Sequence, residues 1–411
     1  MSLRNLSKEL FMTFIFLSLV SLFADMTYEG ARSIFGAYVE VLGATALFAS
    51  LSSIGEFLGY AMRFVSGVIA GYLKSSKGYW SLTFVGYALN LIVVPLLAFS
   101  GRWQVAILLI FLERMGKGLR TPVRDVILAE VTEKIGRGKA FGLHEALDQA
   151  GAVLGPLTVS ASLYVTNNSY FTALLALTFP AIASIIFLYN AYVKYPRIKA
   201  AESTISISKS KSTLNRTFWL YTVSMSLVAL GFIHWVNISY YFKAEGVVPD
   251  YVIATMYLIA MLVDGLLAFP MGLIYDKIGL ISLLLAPLFS ILIAPTLLMN
   301  NFISALLSSI FWGVVMGIYE STARAAIADI VPMEGRAYGY GIFGAFFGAT
   351  WMIGSIIYGY LYQNFIVFII PFTMIIESLA FVTLIVSIRN FRKLKTKKSN
   401  TSQPFRMFSS S

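Results

Sequence analysis

Long apolar segments separated by short polar joints run through most of the chain. A helix that crosses a bilayer needs about 20 consecutive, mostly apolar residues, and twelve such segments follow one another from residue 10 to residue 388. The predicted spans are 10–39, 46–73, 79–99, 103–127, 140–165, 170–191, 217–241, 251–274, 279–299, 303–328, 337–361 and 365–388. We therefore predict an all-α membrane protein with twelve transmembrane helices.

The composition agrees with this pattern and excludes several kinds of chemistry. Of the 411 residues, 58% are hydrophobic and only 12% are charged, whereas about half of the residues of a soluble domain are apolar. The chain has no cysteine, which excludes disulfides, thiolate nucleophiles and cysteine-ligated metals. The two histidines, His144 and His234, belong to different parts of the sequence. We therefore predict no metal site and no cofactor.

The charge of the chain is strongly positive, +11 at pH 7. In a soluble protein such a balance suggests nucleic acid as a partner. Here most of the 31 Lys and Arg residues fall in the predicted inner segments, and only Arg102 and Lys243 fall in predicted outer loops. This positive-inside distribution places both termini in the cytoplasm and the protein in the cell membrane. We expect contacts with anionic lipids and no nucleic acid partner.

The polar segment 192–216 divides the predicted spans into two sets of six. We interpret it as a cytoplasmic linker between an N-terminal half, 1–191, and a C-terminal half, 217–388, with a basic, disordered tail at 389–411. Two short sequences recur. "GYLKSSKG" and "GLIYDKIG" each follow the second span of a half, and "GKAFG" and "GRAYG" each precede the fifth. Internal repeats in a protein with many spans favour a transporter with its site between the halves at mid-membrane.

At these repeats the chain resembles the major facilitator superfamily. The sequence after span eight matches the loop signature of that family through Gly272, Asp276, Lys277 and Gly279. The first half departs from it, since Ser75 and Ser76 stand at the acidic and basic positions. Arg114, four residues before Gly118, is similar to the span-four motif that the family links to proton coupling. The resemblance implies a fold of two six-helix halves.

Span five resembles the antiporter motif of drug and metabolite exporters in this family. The matching residues are Gly142, Gly151, Gly155 and Pro156, while Val159 and Ser160 replace the closing glycine pair. Independently of the family, Gly151 and Gly155 lie one helical turn apart and allow a neighbouring backbone to approach closely. Pro156 is expected to bend the helix. Close packing and a functional hinge are both compatible with this pattern.

Ionisable side chains inside spans are costly and mark substrate or ion pathways. Asp25 and Glu56 have no opposite charge at i±4, and burial without a counter-ion favours the protonated form of a carboxylate. We therefore predict that they couple transport to protons, with Arg114 modulating them and Glu113, aligned with Lys117, as a weaker candidate. Other polar residues within spans are candidates for the substrate cavity: Glu29, His234, Asp264 and Glu320. Glu320 also has Arg324 four residues later, which makes a structural ion pair an alternative.

Span four ends in the charged sequence "ERMGKGLRTPVRDVILAE". Helical spacing places Lys117, Arg120 and Arg124 on one face that runs from mid-membrane toward the cytoplasm. Charge is tolerated there because the helix leaves the bilayer at that end. We interpret this face, with Asp125, as a cytoplasmic gate whose basic side chains meet acidic partners when the halves close.

These features together predict a secondary active transporter and not an enzyme. The preferred function is export of small organic compounds by alternating access, driven by protons or another coupling ion, with one chain as the transport unit. An importer or facilitator of a sugar, organic acid or peptide is the alternative within transport. The alternative of another class is a lipid-acting membrane enzyme, against which the chain offers no nucleophile-elbow sequence.

Overall fold

The chain folds into helices joined by short turns in a computed structural model that describes residues 3–73, 75–132, 137–199 and 214–401. The first helices are α1 (Leu3–Val41), α2 (Ala46–Ser50), α3 (Ile54–Leu73), α4 (Ser76–Leu96), α5 (Trp103–Val131), α6 (Arg137–Val165), α7 (Tyr170–Ala176) and α8 (Thr178–Lys194). The later helices are α9 (Arg216–Gly231), α10 (Trp235–Ala244), α11 (Asp250–Ile278), α12 (Leu285–Leu297), α13 (Phe302–Ile330), α14 (Arg336–Asn364) and α15 (Ile369–Thr401). No strand occurs within the described ranges.

Polar residues in the joints fix where several helices begin. Ser75 accepts a hydrogen bond from the Gly78 amide at 3.1 Å and caps α4. Asn301 and Ser304 exchange hydrogen bonds in a capping box at the start of α13. Both devices satisfy amides that a helix start leaves unpaired. At the other end of a helix, Gly279 adopts φ +62° and terminates α11, a conformation that glycine reaches without steric cost.

Eight of the described helical stretches are long and apolar enough to cross a membrane: Glu9–Val41, Ser76–Phe99, Tyr170–Lys194, Arg216–Ala244, Asp250–Leu297, Phe302–Ile330, Tyr338–Asn364 and Ile366–Leu394. Asp250–Leu297, with 48 residues, has the length of two passages and contains the Gly279 turn. The predicted spans 46–73, 103–127 and 140–165 are helical but lie outside these eight stretches. An all-helical membrane protein with several spans is confirmed, and the count of twelve stays a prediction.

The predicted span 217–241 is not one continuous helix. It breaks between Gly231 and Trp235, where Phe232 and His234 have extended backbones. The side chain of Tyr358 donates a hydrogen bond to the Gly231 carbonyl at 2.6 Å, and that of Trp312 donates one to the Ile233 carbonyl at 3.0 Å. These donors satisfy carbonyls that a break exposes in an apolar setting. Because they come from distant helices, local sequence does not reveal the break.

One end of the molecule is closed by contacts between the two predicted halves. Tyr240 donates a hydrogen bond to the Ala44 carbonyl at 2.9 Å, and the Leu47 amide donates one to the Gln363 side chain at 3.4 Å. A Cβ at Gly359 would lie 2.7 Å from the Ala46 carbonyl oxygen, so α14 and α2 pack backbone to backbone. We call this group of contacts, formed by residues 44–50, 240, 359 and 363, the seal.

Candidate functional site

A small cavity lies where α1, α3, α5 and the break before α10 meet. Its lining includes Tyr28, Arg32, Glu56, Glu113, Arg114 and His234. The cavity volume of about 20 Å³ is enough for about one water molecule. In this conformation the cavity is therefore too small for an organic solute, and the surrounding helices must move apart before such a solute can enter.

Glu56 is the centre of a buried ionic network in this cavity. Its Oε1 lies 2.9 Å from Nη2 of Arg32 on α1 and 3.3 Å from Nε of Arg114 on α5. The expectation that Glu56 is buried without a counter-ion is therefore wrong. The i±4 spacing indicates only partners on the same helix, whereas both guanidinium groups come from other helices.

Glu113 and Glu29 complete the ionic network. Oε2 of Glu113 lies 3.1 Å from Nε of Arg114, and its Oε1 accepts a hydrogen bond from Asn90 at 2.6 Å. Glu113 is therefore paired with Arg114, although Lys117 lies one turn further along the same helix, as the i, i+4 spacing predicts. Lys117 instead lies 3.9 Å from Glu29. Balanced ion pairs of this kind allow charges to remain in a low-dielectric interior.

Glu29 also connects the two predicted halves. Its Oε1 lies 3.4 Å from Nη1 of Arg32, and its Oε2 accepts a hydrogen bond from the hydroxyl of Tyr257 on α11. Tyr257 is fully buried. A change in the position of α11 relative to α1 would therefore break a hydrogen bond to a buried carboxylate.

Asp25 lies on the same stripe of α1 as Glu29 but is bound differently. It accepts a hydrogen bond from the Tyr28 hydroxyl at 2.5 Å. Within the described residues it forms no ion pair, and Nζ of Lys117 lies over the Tyr28 ring, 3.9 Å from its centre. Asp25 is thus the predicted coupling carboxylate that the structure leaves without a direct counter-ion.

Aromatic side chains from the C-terminal half face the charged group. The rings of His234 and Trp351 are 4.8 Å apart, and the Arg32 guanidinium lies 5.9 Å from the Trp351 ring centre. Phe232 packs between Trp351 and Trp312, with centroid distances of 5.9 and 5.5 Å. The acidic and basic side chains thus come from the N-terminal half and most of the aromatic ones from the C-terminal half.

The predicted gating cations are engaged within their own half. Nε of Arg120 donates a hydrogen bond to Asn90 at 3.2 Å, and its guanidinium lies 4.2 Å from the Tyr87 ring. Arg124 donates to Ser21 at 2.9 Å and pairs with the adjacent Asp125 at 2.8 Å. In this conformation these side chains hold α1, α4 and α5 together.

The glycines of α6 differ sharply in their surroundings. A Cβ at Gly151 would overlap the Leu22 carbonyl oxygen, and one at Gly155 would overlap that of Met26, so this face of α6 touches the backbone of α1. A Cβ at Gly142 would meet no atom within 4 Å. Pro156 lies inside α6, which continues to Val165.

The remaining predicted residues lie away from the cavity. Asp264 is buried and accepts a hydrogen bond from Gln149 at 3.1 Å, and Glu320 is on the exposed side of α13. Gly272 has open space around it, and Asp276 and Lys277 are exposed. The side chain of Arg324, the alternative ion-pair partner predicted for Glu320, lies outside the described residues.

Three residues that the sequence did not single out contact the ionic network around the cavity: Asn90, Tyr257 and Trp351. Asn90 carried a usable signal, because its amide side chain stands within the apolar sequence "YALNLIVV". Tyr257 and Trp351 carried no such signal, since aromatic residues are frequent throughout the chain. What distinguishes these two is their contact with side chains of α1.

Comparison with known proteins identifies the family. The family model of the Major Facilitator Superfamily matches residues 248–409. An uncharacterized protein of Mycobacterium tuberculosis (strain ATCC 25618 / H37Rv) is 36% identical over 369 residues, which are 88% of this chain and 90% of that protein. An uncharacterized MFS-type transporter of Methanocaldococcus jannaschii is 25% identical over 378 residues, with the same coverage of 88% and 90%. The chain belongs to the major facilitator superfamily.

This major facilitator chain is a multi-pass membrane transporter and not an enzyme. Solved structures agree at the level of fold. The nucleoside transporter NupG superposes with a TM-score of 0.70 at 15% identity, over 92% of this chain and 99% of that one. The peptide transporter POT in complex with sulfate superposes with a TM-score of 0.70 at 14% identity, over 92% and 94%. At these identities the likeness concerns the fold alone.

Proposed function

We propose that the chain exports small organic compounds in exchange for protons, by alternating access of the central cavity to the two sides of the membrane. The observation that carries this proposal is the buried ionic network around Glu29 and Glu56. Charges in the membrane interior are retained where they serve a substrate or ion pathway. Because Tyr257 joins Glu29 to the other half, the network is placed to respond when the halves move.

The proposed architecture has twelve spans in two halves. The short helices would pair as α2 with α3, α7 with α8 and α9 with α10, and every other helix would cross the membrane once. The halves are 1–191 and 217–388, joined by the linker 192–216 and followed by the tail 389–411. The tail was predicted to be disordered, but α15 continues as a helix to Thr401. With both termini in the cytoplasm of a cell-membrane protein, the seal lies on the outer side. The exposed loop residues Asp276 and Lys277 then lie on the inner side.

Asp25 is the proposed proton-binding group. Arg32 and Arg114 already neutralise Glu56, whereas Asp25 has only the Tyr28 hydroxyl as a direct partner. An ionised carboxylate in such surroundings is costly unless a positive charge approaches it. Lys117 and Arg120 on α5 lie 3.9 and 6.0 Å from the centre of the Tyr28 ring, whose hydroxyl binds Asp25. A movement of α1 relative to α5 would therefore change the proton affinity of Asp25.

This assignment predicts different results for two neutral variants in proteoliposomes. Asp25→Asn is expected to lose transport driven by a pH gradient while retaining substrate exchange, because it removes the proton but leaves the ionic network intact. Glu56→Gln is expected to reduce both modes, because it leaves two buried guanidinium groups short of a partner. If Asp25→Asn responds to the gradient as the parent chain does, Asp25 is not the coupling group.

Import or facilitated diffusion of a sugar, organic acid or peptide is the alternative. The incomplete antiporter motif, with Val159 and Ser160 in place of glycines, is the observation that favours it. The direction of the driven flux distinguishes the two. An exporter accumulates substrate on the proton-rich side of the membrane, and a proton-coupled importer accumulates it on the proton-poor side.

A further inference from the structure

Three buried nitrogen atoms near the cavity have no hydrogen-bond acceptor among the described residues. They are Nε of Arg32, Nε2 of His234 and Nε1 of Trp351. The histidine is 95% buried and the tryptophan 96%, from exposed fractions of 5% and 4%. A buried polar group without a partner costs about 1–3 kcal/mol. Three unpaired polar atoms around one cavity therefore suggest a single shared cause.

All three atoms are donors. The guanidinium and indole nitrogens carry hydrogen in every state that a protein reaches. For His234 the assignment follows from its role as the cap of α10. Its Nδ1 accepts a hydrogen bond from the Val236 amide at 3.2 Å, so Nδ1 has no hydrogen. In the neutral ring the hydrogen is then on Nε2.

His234 and Arg32 both lie against the ring of Trp351. His234 and Trp351 have ring centroids 4.8 Å apart, and the Arg32 guanidinium lies 5.9 Å from the Trp351 ring centre. The nearest protein acceptor to the histidine is Oε1 of Glu56, at 3.6 Å from Nε2, which is beyond hydrogen-bond distance. That oxygen already accepts from Arg32 and lies 3.3 Å from Arg114.

A single water molecule does not match this arrangement, because it has two lone pairs for three donors and brings two hydrogens of its own. A group that accepts hydrogen bonds and donates none does match the three donors. A carboxylate has about four lone-pair positions and no donor, and hydrogen bonds to a charged acceptor are about twice as strong as neutral ones.

We infer that the transported solute carries a carboxylate or a comparable oxyanion that accepts hydrogen bonds from Arg32, His234 and Trp351. This inference rests on the proposed function and specifies its substrate class. The rest of the solute is apolar or aromatic, since the donors are set in the group formed by Phe232, Trp312 and Trp351. The solute reaches these donors when the helices around the small cavity have separated.

The test uses three compounds of one size and shape: 3-phenylpropionate, its primary amide 3-phenylpropanamide, and the amine 3-phenylpropylamine. Each is added to the purified full chain, and thermal unfolding is followed as a function of concentration, since a compound that binds the native state raises Tm. We expect the carboxylate to raise Tm with a saturating dose dependence. The amide is expected to raise it far less and the amine not at all.

Each variant removes one of the three donors and keeps one property of the native side chain. Trp351→Phe keeps an aromatic ring, His234→Asn keeps an oxygen that can cap α10, and Arg32→Lys keeps the charge. Each is expected to weaken the apparent affinity for 3-phenylpropionate by about tenfold or more. Trp219→Phe is the matched control, because Trp219 is 40% exposed and packs on Phe218 and Phe346. It is expected to leave the affinity unchanged.

Four results would overturn the inference: an equal response to the amine, an equal response to the amide, no response to the carboxylate, or a carboxylate response that survives in Trp351→Phe. Trp351→Phe is the decisive variant, because it disturbs no ion pair and should fold. Failure of the proposed function has a different signature, namely the absence of exchange in proteoliposomes for every solute in a chemically varied panel. Exchange of amines or neutral solutes only would support the proposed transport function and contradict the carboxylate substrate class.

Discussion

Arg114→Ala is expected to lower the free energy of unfolding by about 3–5 kcal/mol and to abolish transport. The guanidinium lies within ion-pair distance of both Glu56 and Glu113, and it is itself only 6% exposed. Removing it leaves the carboxylates of Glu56 and Glu113 with less positive charge nearby to offset the cost of burying them. The stability change is measured by denaturant unfolding in detergent micelles, and transport by exchange in proteoliposomes.

Two further variants give this prediction its controls. Arg63→Ala removes an arginine of α3 that stacks on Tyr60 at 5.1 Å, and it is expected to cost about 1 kcal/mol or less. Glu56→Gln in the Arg114→Ala background is expected to recover part of the lost stability, because it removes one of the uncompensated charges. Equal losses for Arg114→Ala and Arg63→Ala would show that the network contributes no special stability.

Gly155→Leu is expected to abolish transport and to destabilise the fold by about 1–3 kcal/mol or more. The helices α1 and α6 touch at this position, where a Cβ would overlap the Met26 carbonyl oxygen and lie 2.8 Å from the Gly30 amide nitrogen. Backbone atoms cannot move aside without displacing α1, which carries Asp25, Glu29 and Arg32. A leucine here therefore disturbs the cavity as well as the packing.

Gly142→Leu is the control on the same helix, because a Cβ there meets nothing within 4 Å. It should keep transport and cost little stability. Normal transport by Gly155→Leu would contradict the close packing of α1 against α6. Loss of transport in both variants would point to a requirement for glycine in α6 that is unrelated to this contact.

The sequence was sufficient for the helices and for part of the site. Apolar length predicted the helical fold, and the i, i+4 and i+7 spacing correctly placed Asp25, Glu29 and Arg32 on one stripe of α1. The sequence did not predict which side chains of different helices pair with each other. Arg32 and Glu56 are 24 residues apart and Tyr257 and Glu29 are 228 apart, and such contacts depend on how helices rotate and pack against each other.

The break before α10 illustrates the same limit. Gly231 is compatible with either a continuous or a broken helix, and the choice depends on Tyr358 and Trp312, which donate to the freed carbonyls. Since the break places His234 in the cavity, a residue assigned to the middle of a span becomes a helix cap next to Glu56. Long-range side-chain hydrogen bonds therefore determine the geometry of the site.

Alternating access is tested most directly by fixing the seal with a covalent link. The chain has no cysteine, so Leu47→Cys with Gln363→Cys introduces a single pair where the halves meet, at residues already joined by a hydrogen bond of 3.4 Å. A short, reducible thiol–thiol cross-linker is applied to proteoliposomes, and counterflow is measured with a panel that contains an organic acid, an amine, a nucleoside and a dipeptide.

The control is the pair Phe99→Cys and Phe171→Cys, whose native rings are 5.3 Å apart within the N-terminal half. We predict that cross-linking the seal stops counterflow of the transported solute, that reduction restores it, and that cross-linking the control pair leaves it unchanged. Counterflow that continues at the parent rate with the seal fully cross-linked would contradict alternating access between the two halves.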